Sequence, residues 1–216
     1  MRVGSERRGR SFASGIAVAA LASLLIAAPP AHSSPAVSRD TETVAGWVRT
    51  TGDNQGTPFA IVDKKAAAVH IFDADGKRRA SSPILLGLAK GDHSVPGIGE
   101  RQMADIRDDE RTTPAGRFVS EPGRNLSGED IVWVDYDAAV SMHRVRATNK
   151  AERRLERLAT PTAADNRISY GCINVPAAFY DAHVKPSFGT AKAVIYVLPE
   201  TRPASTLFET PTSQAR

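Results

Sequence analysis

The sequence predicts a mostly β domain with short helical insertions, its sheet either wrapped on itself or split into a sandwich. Three observations point there. Apolar residues recur with period two in short runs between residues 57 and 199, the pattern of strands with one face buried. Turn chemistry separates the runs, most clearly at Asp73-Ala-Asp-Gly-Lys77, where Asp and Gly supply the positive φ of a tight hairpin. One stretch stands out for helical spacing instead, Lys150 to Ala159.

In chain order, Phe59–Val62 and Ala68–Phe72 flank Asp63-Lys-Lys65 and form a hairpin-like pair. Pro83–Leu88, Arg117–Val119, Ile131–Val134 and Ala193–Leu198 read as further strands. The Lys150–Ala159 helix carries Ala151, Leu155 and Leu158 at i, i+4 and i+7, and Pro161 stops it. Residues 34–56 form a polar N-terminal extension whose one apolar cluster, Val44, Trp47 and Val48, suits a short helix. Residues 200–216, rich in Thr, Ser and Pro, read as a flexible tail.

Residues 1–33 read as an export signal. Arg2, Arg7, Arg8 and Arg10 make a basic start, and Gly15 to Ala28 is an apolar run of signal length, short of the ~20 residues that span a bilayer. Ala31-His32-Ser33 offers small residues for cleavage, so the mature chain is expected to start near Ser34, in the periplasm or cell envelope, with no stable membrane span left. The signal also carries most of the basic excess: the full chain has net charge +4, and without those four arginines and Glu6 it falls to about +1. Nucleic-acid binding, which asks for a concentrated basic face, is excluded as the expected role.

The chemistry is expected at Arg167-Ile-Ser-Tyr-Gly-Cys-Ile-Asn-Val-Pro176, which contains Cys172, the one cysteine of the 216-residue chain. An exported protein with a single thiol cannot close an internal disulfide, and a thiol after glycine sits where the backbone bends sharply enough to bring N–H groups near a bound carbonyl. That context favours a nucleophile. A free thiol with a pKa near 8.5 needs an imidazole close by to react at neutral pH. His70 lies in an apolar strand and reads as a structural histidine; His93 sits in a polar loop and His183 follows a proline, both solvated. His143 closes Val140-Ser-Met-His143 at a strand end that could face the cysteine turn, but spacing alone leaves the partner open. One cysteine and dispersed histidines give no metal-ligand spacing, and no cofactor is expected.

Taken together, His143, then Ser169-Tyr-Gly-Cys-Ile-Asn174, with Thr113-Pro-Ala-Gly-Arg-Phe118 ahead of them and Val62-Asp-Lys64 and the Asp75-Gly76 turn near the start, make residues 57–199 resemble the catalytic domain of the L,D-transpeptidases. These are bacterial cell-wall enzymes with an active-site cysteine. The resemblance implies that His143 is the base, Cys172 the nucleophile and a peptidoglycan stem peptide the substrate. It implies an oxyanion hole from the Gly171 and Cys172 N–H groups, positioning roles for Ser169, Tyr170 and Asn174, and a 3→3 cross-link once an amine resolves the thioester. Arg167 could face substrate carboxylates. Two features depart from the family pattern: Tyr170 stands where the motif has a second histidine, and 25 residues separate His143 from Ser169, with the Lys150–Ala159 helix as the obvious insertion. Hydrolysis by the same cysteine, exchange with a protein lysine, and a non-catalytic wall-binding module are the alternatives.

Overall fold

The computed structural model describes residues 35–208; the expected signal and its cleavage point lie outside them. Ten strands run in chain order: β1 Phe59–Asp63, β2 Ala68–Phe72, β3 Arg78–Pro83, β4 Leu86–Gly87, β5 Gly116–Arg124, β6 Asp130–Asp135, β7 Val140–Arg144, β8 Arg167–Ser169, β9 Ile173–Val175 and β10 Ala193–Val197. Eight of them form one sheet in the order β3-β2-β1-β10-β5-β6-β7-β9, and β4 pairs with β8 apart from it. Two helices matter most, α1 Arg39–Thr51 and α2 Arg154–Ala159.

The wrap comes from β5. Its first half, Gly116–Ser120, pairs with β10, and its second half, Glu121–Arg124, pairs with β6. One long strand is therefore shared by two half-sheets, and both pack side chains into a common core: Ala60, Val62, Val69, Ile71, Ile195 and Val197 from one half meet Val132, Met142, Ile173 and Val175 from the other. Period two decides which residues go where. In β1, Ala60 and Val62 enter this core while Phe59 and Ile61 enter a second one on the opposite face.

That second face is covered by α1. Ser38 caps the helix through its hydroxyl, which accepts the Thr41 N–H at 3.1 Å, and Gly52 at φ 68 ends it. Val44, Ala45 and Val48 then pack on Phe59, Ile61 and Tyr196, so the cluster seen in sequence is the buried stripe of a 13-residue helix. Ala204 and Phe208 join the same core. The tail expected to be loose is thus packed over its first residues, because Phe208 buries its ring against Trp47 and Tyr196.

Two elements differ from expectation. The strand read at Pro83–Leu88 begins earlier, as the polar β3, which lies at the sheet edge and has a largely exposed outer half. Ile84, Leu85 and Leu86 leave that sheet and run fully buried toward the motif, where Leu85 exchanges two 2.9 Å backbone hydrogen bonds with Asn174. The Lys150–Ala159 helix is broken: Lys150–Glu152 is a 3-10 turn, Arg153 takes φ 51, and only Arg154–Ala159 is α-helical. Leu158 is buried while Leu155 is 59% exposed, so the apolar spacing does not produce one continuous buried stripe.

His70 is fully buried in β2, its Nδ1 2.8 Å from the Ser81 hydroxyl and its Nε2 without a hydrogen-bond partner. Burial pushes its pKa down to about 4, with Arg78 adding to the effect and Asp63 opposing it. An unfolded histidine titrates near 6.5. Between those values the unfolded chain binds a proton that the folded chain refuses, so stability is full above about pH 6.5 and falls as the pH drops toward 4. Chemical denaturation at pH 7 and pH 4.5 should show wild type losing about 2 kcal/mol more than His70→Gln. Equal losses in the two proteins would remove His70 from this role.

Candidate active site

The site forms where β7 and β9 pair in parallel, with His143 opposite Asn174 and Met142 opposite Ile173. The 25 residues between His143 and Ser169 leave the sheet after β7 and return in time for β9, so the strand pairing fixes the approach of histidine to cysteine whatever the loop between them does. Such an insertion costs little, since loop-closure entropy grows slowly with length.

Cys172 occupies the turn between β8 and β9. Gly171 before it has φ 132, outside the range of ordinary L residues, and a Cβ there would lie 2.7 Å from the Thr112 carbonyl oxygen. Ser169 closes the turn: its hydroxyl donates to the Cys172 carbonyl at 2.6 Å and accepts the Gly171 N–H at 3.1 Å. Thr113 holds it from outside, donating from Oγ1 to the Gly171 carbonyl at 2.8 Å and accepting the Gly87 N–H at 2.9 Å.

His143 is oriented by its own strand. Nδ1 lies 2.8 Å from the Arg144 carbonyl, to which it can only donate, and this leaves Nε2 as the basic nitrogen of the neutral ring. Asn174 Nδ2 stands 3.4 Å from Nε2 and donates to the Cys172 carbonyl at 3.3 Å. The Cys172 sulfur, half-buried, lies 3.7 Å from the Ser141 hydroxyl and 3.6 Å from the Ala139 carbonyl oxygen.

The two groups shift each other. Burial alone would push the Cys172 thiol up, but the influence of the His143 imidazole, with the Ser141 contacts, outweighs it and holds the thiol below its usual range. Burial would likewise lower His143, yet its interaction with Cys172 and the Arg144 carbonyl raises it. Both directions favour a thiolate beside an imidazolium, the reactive form of a cysteine nucleophile.

Three expectations need correction. The Gly171 N–H is occupied by Ser169, so it is not a free oxyanion donor; the Cys172 N–H makes no hydrogen bond among the described residues and remains the donor of that turn. Arg167 does not face a substrate. It is 8% exposed, grips Glu200 through both terminal nitrogens at 2.6 and 3.2 Å, and donates to the Lys64 carbonyl at 2.9 Å. Tyr170 makes no hydrogen bond through its hydroxyl among the described residues; its ring instead stacks under the Arg111 guanidinium, 4.0 Å from the centroid, and contributes by that contact.

Tyr170→Phe should therefore keep the carbapenem acylation rate within about twofold of wild type, since the face that Arg111 covers survives, whereas Tyr170→Ala should lose roughly 1 kcal/mol of stability. A Phe variant as slow as one lacking His143 would place the phenol in the chemistry.

Arg167 belongs to a buried charge network behind the site. Lys64 donates to Asp92 at 2.9 Å, to the Thr113 carbonyl at 2.8 Å and to the Gly91 carbonyl at 2.5 Å, while Asp92 also accepts from Thr201 and from the Glu200 N–H. Burial pushes the Lys64 ammonium down against the pull of Asp92 and Glu200. Burial would raise Asp92, but its bonds to Thr201 and Lys64 hold it well below the usual carboxylate range. The network ties the Thr113 segment to Glu200 and Thr201 after β10, and Thr113 in turn grips the cysteine turn.

Ser141, Thr113, Arg111 and Arg154 were not among the residues expected at the site. Ser141 had a signal: it lies two positions before His143 on a strand, hence on the same face. His70, His93 and His183 are not in the site; His70 is buried elsewhere, His93 is exposed, and His183 stacks on Phe179 at 5.0 Å. Among the described residues no helix is long and apolar enough to cross a membrane.

No protein-family model and no curated protein matches the chain. Solved structures of L,D-transpeptidases resemble it. The catalytic domain of the Enterococcus faecium L,D-transpeptidase is 19% identical, with TM-score 0.36, over 66% of this chain and 98% of that one. An L,D-transpeptidase from Mycobacterium tuberculosis is 14% identical, with TM-score 0.38, over 65% of this chain and 57% of that one. The helical cell shape determining protein Pgp2 from Campylobacter jejuni is 14% identical, with TM-score 0.42, over 73% and 56%. The chain thus spans little more than half the length of the last two.

Proposed function

We propose that this protein is a cysteine acyltransferase of the cell envelope that acts on peptidoglycan stem peptides as an L,D-transpeptidase. The observation that carries the reading is the pairing of β7 with β9, which sets His143 opposite Asn174, two residues after Cys172, with the imidazole fixed by the Arg144 carbonyl so that Nε2 is the basic nitrogen.

In this reading Cys172 gives its proton to His143, and the thiolate attacks the carbonyl between the third residue and the D-alanine of a stem tetrapeptide. The oxyanion forms beside the Cys172 N–H. His143 returns the proton to the departing amine of D-alanine, and a thioester remains on Cys172. A second amine, the side-chain amine of diaminopimelate on a neighbouring stem, gives a proton to His143 as it attacks the thioester. The products are a 3→3 cross-link and a free thiol.

Intact-mass analysis after exposure to a carbapenem or a tetrapeptide stem tests the reading. An adduct confined to Cys172 is the expected result, and its absence under conditions where the protein is folded contradicts it. Muropeptide analysis of the products then separates transfer from hydrolysis: cross-linked stems support the transpeptidase, tripeptide stems alone identify a carboxypeptidase.

A further inference from the structure

The insertion after β7 is where this chain departs most from the motif pattern, and one of its side chains reaches the reacting pair. Arg153 at φ 51 breaks the segment and starts α2 at Arg154, whose side chain is 14% exposed. Its Nε pairs with Glu152 at 2.5 Å, and its Nη1 donates to the Asn174 Oδ1 at 2.5 Å. A guanidinium can only donate, so the Asn174 amide must turn its oxygen to Arg154 and its NH2 toward the His143 Nε2 and the Cys172 carbonyl.

We propose that Arg154 is a positioning residue for the catalytic pair: it locks the Asn174 amide with its NH2 toward the imidazole, so that the inserted segment is part of the working site. The proposal rests on the reading that His143 and Cys172 are the reacting pair. An NH2 aimed at Nε2 supports the neutral ring, whose lone pair accepts it, and opposes the imidazolium, whose Nε2–H would face another donor there. The Arg154 charge acts in the same direction, lowering His143 while Cys172 raises it. Arg144, the other cation nearby, is engaged by Asp130 and Asp181. The consequence is a histidine that releases its proton readily to the leaving amine, instead of being trapped as a stable ion pair.

The test is the pH dependence of Cys172 alkylation by iodoacetamide, read by mass, in wild type, Arg154→Met, Arg154→Lys and Asn174→Ala. In Arg154→Met the amide is free to rotate and offer Oδ1 to the protonated Nε2. The imidazolium then gains an acceptor and loses a neighbouring cation, so the rise in alkylation rate should move to lower pH by about one unit. Arg154→Lys keeps a donor for Oδ1 and should restore most of the wild-type profile. In the Asn174→Ala background, Arg154→Met should shift the profile by less than half as much, since the amide is gone and only the charge remains. Arg154→Leu, which also lacks any donor, takes the place of the Met variant if that does not fold. A profile for Arg154→Met or Arg154→Leu that superimposes on wild type, or an equal shift with and without Asn174, overturns the proposal. Because alkylation needs no substrate, this result is independent of stem-peptide turnover: a wild-type Cys172 that alkylates with a lowered pKa but never forms an acyl adduct would leave the role of Arg154 standing and remove the transpeptidase reading.

Discussion

Cys172→Ala abolishes turnover and every covalent adduct while the fold survives: that is the largest effect expected. The loss is complete because the proposed route runs through a bond to this sulfur, and no second thiol exists in the chain to replace it. The fold survives because the turn is held by other atoms. Ser169 bridges Gly171 and Cys172 through backbone contacts, and Thr113 grips the Gly171 carbonyl. The sulfur itself makes two weak polar contacts, at 3.6 and 3.7 Å, so its removal should change stability by about 1 kcal/mol at most. Carbapenem labelling with a melting curve on the same sample checks both halves. An adduct on the variant would move the nucleophile elsewhere.

His143→Ala follows, with an expected 10²–10⁴-fold loss in acylation rate, the usual consequence of removing a positioned general base. The geometry argues for the upper part of that range. In the proposed route His143 is the acceptor of the thiol proton, and it is also the main influence holding the thiol low against burial, so the variant should lose proton transfer and thiolate population together. His93→Ala and His183→Ala should leave the rate within about twofold, since the groups acting on the thiol are His143 and Ser141 and include neither of these rings. Single-turnover acylation of the three variants at pH 7 decides it. A crippled His183→Ala beside an active His143→Ala would overturn the pairing.

The motif was legible in the sequence because its chemistry is local: a glycine able to adopt φ 132, a thiol beside it and a serine two residues back all act within one turn. The histidine was not legible from spacing. Four candidates remained until the resemblance chose one, because the choice depends on β7 pairing with β9 across the long segment between them, a non-local fact. Arg167 misled for the same reason. An arginine just before a catalytic motif looks available to substrate, and nothing near it in sequence announces Glu200, which neutralises it in the core. Ser169 and Asn174 both hydrogen-bond to the Cys172 carbonyl, and Ser169 also occupies the Gly171 N–H that the oxyanion was expected to use.

The strands followed a comparable rule. Those buried on both faces, β1, β2 and β10, carry continuous apolar runs and were read close to their ends. The edge strand β3, Arg78–Pro83, has no such run, since an edge facing water can be polar, and its place went to the apolar residues after it. The inserted helix was seen through its spacing, but the backbone break at Arg153 and the reach of Arg154 to Asn174 depend on tertiary packing that periodicity does not encode.

The central claim is that His143 makes a reactive thiolate of Cys172, and the most direct measurement is the iodoacetamide reaction rate of Cys172 against pH in wild type and His143→Ala. Wild type should react as a thiolate below the pH of about 8.5 at which a free cysteine ionises, while His143→Ala, left with burial, Ser141 and the Ala139 carbonyl beside the sulfur, should ionise at or above it. Superimposed profiles, or a wild-type cysteine that titrates like a free thiol, would contradict the account.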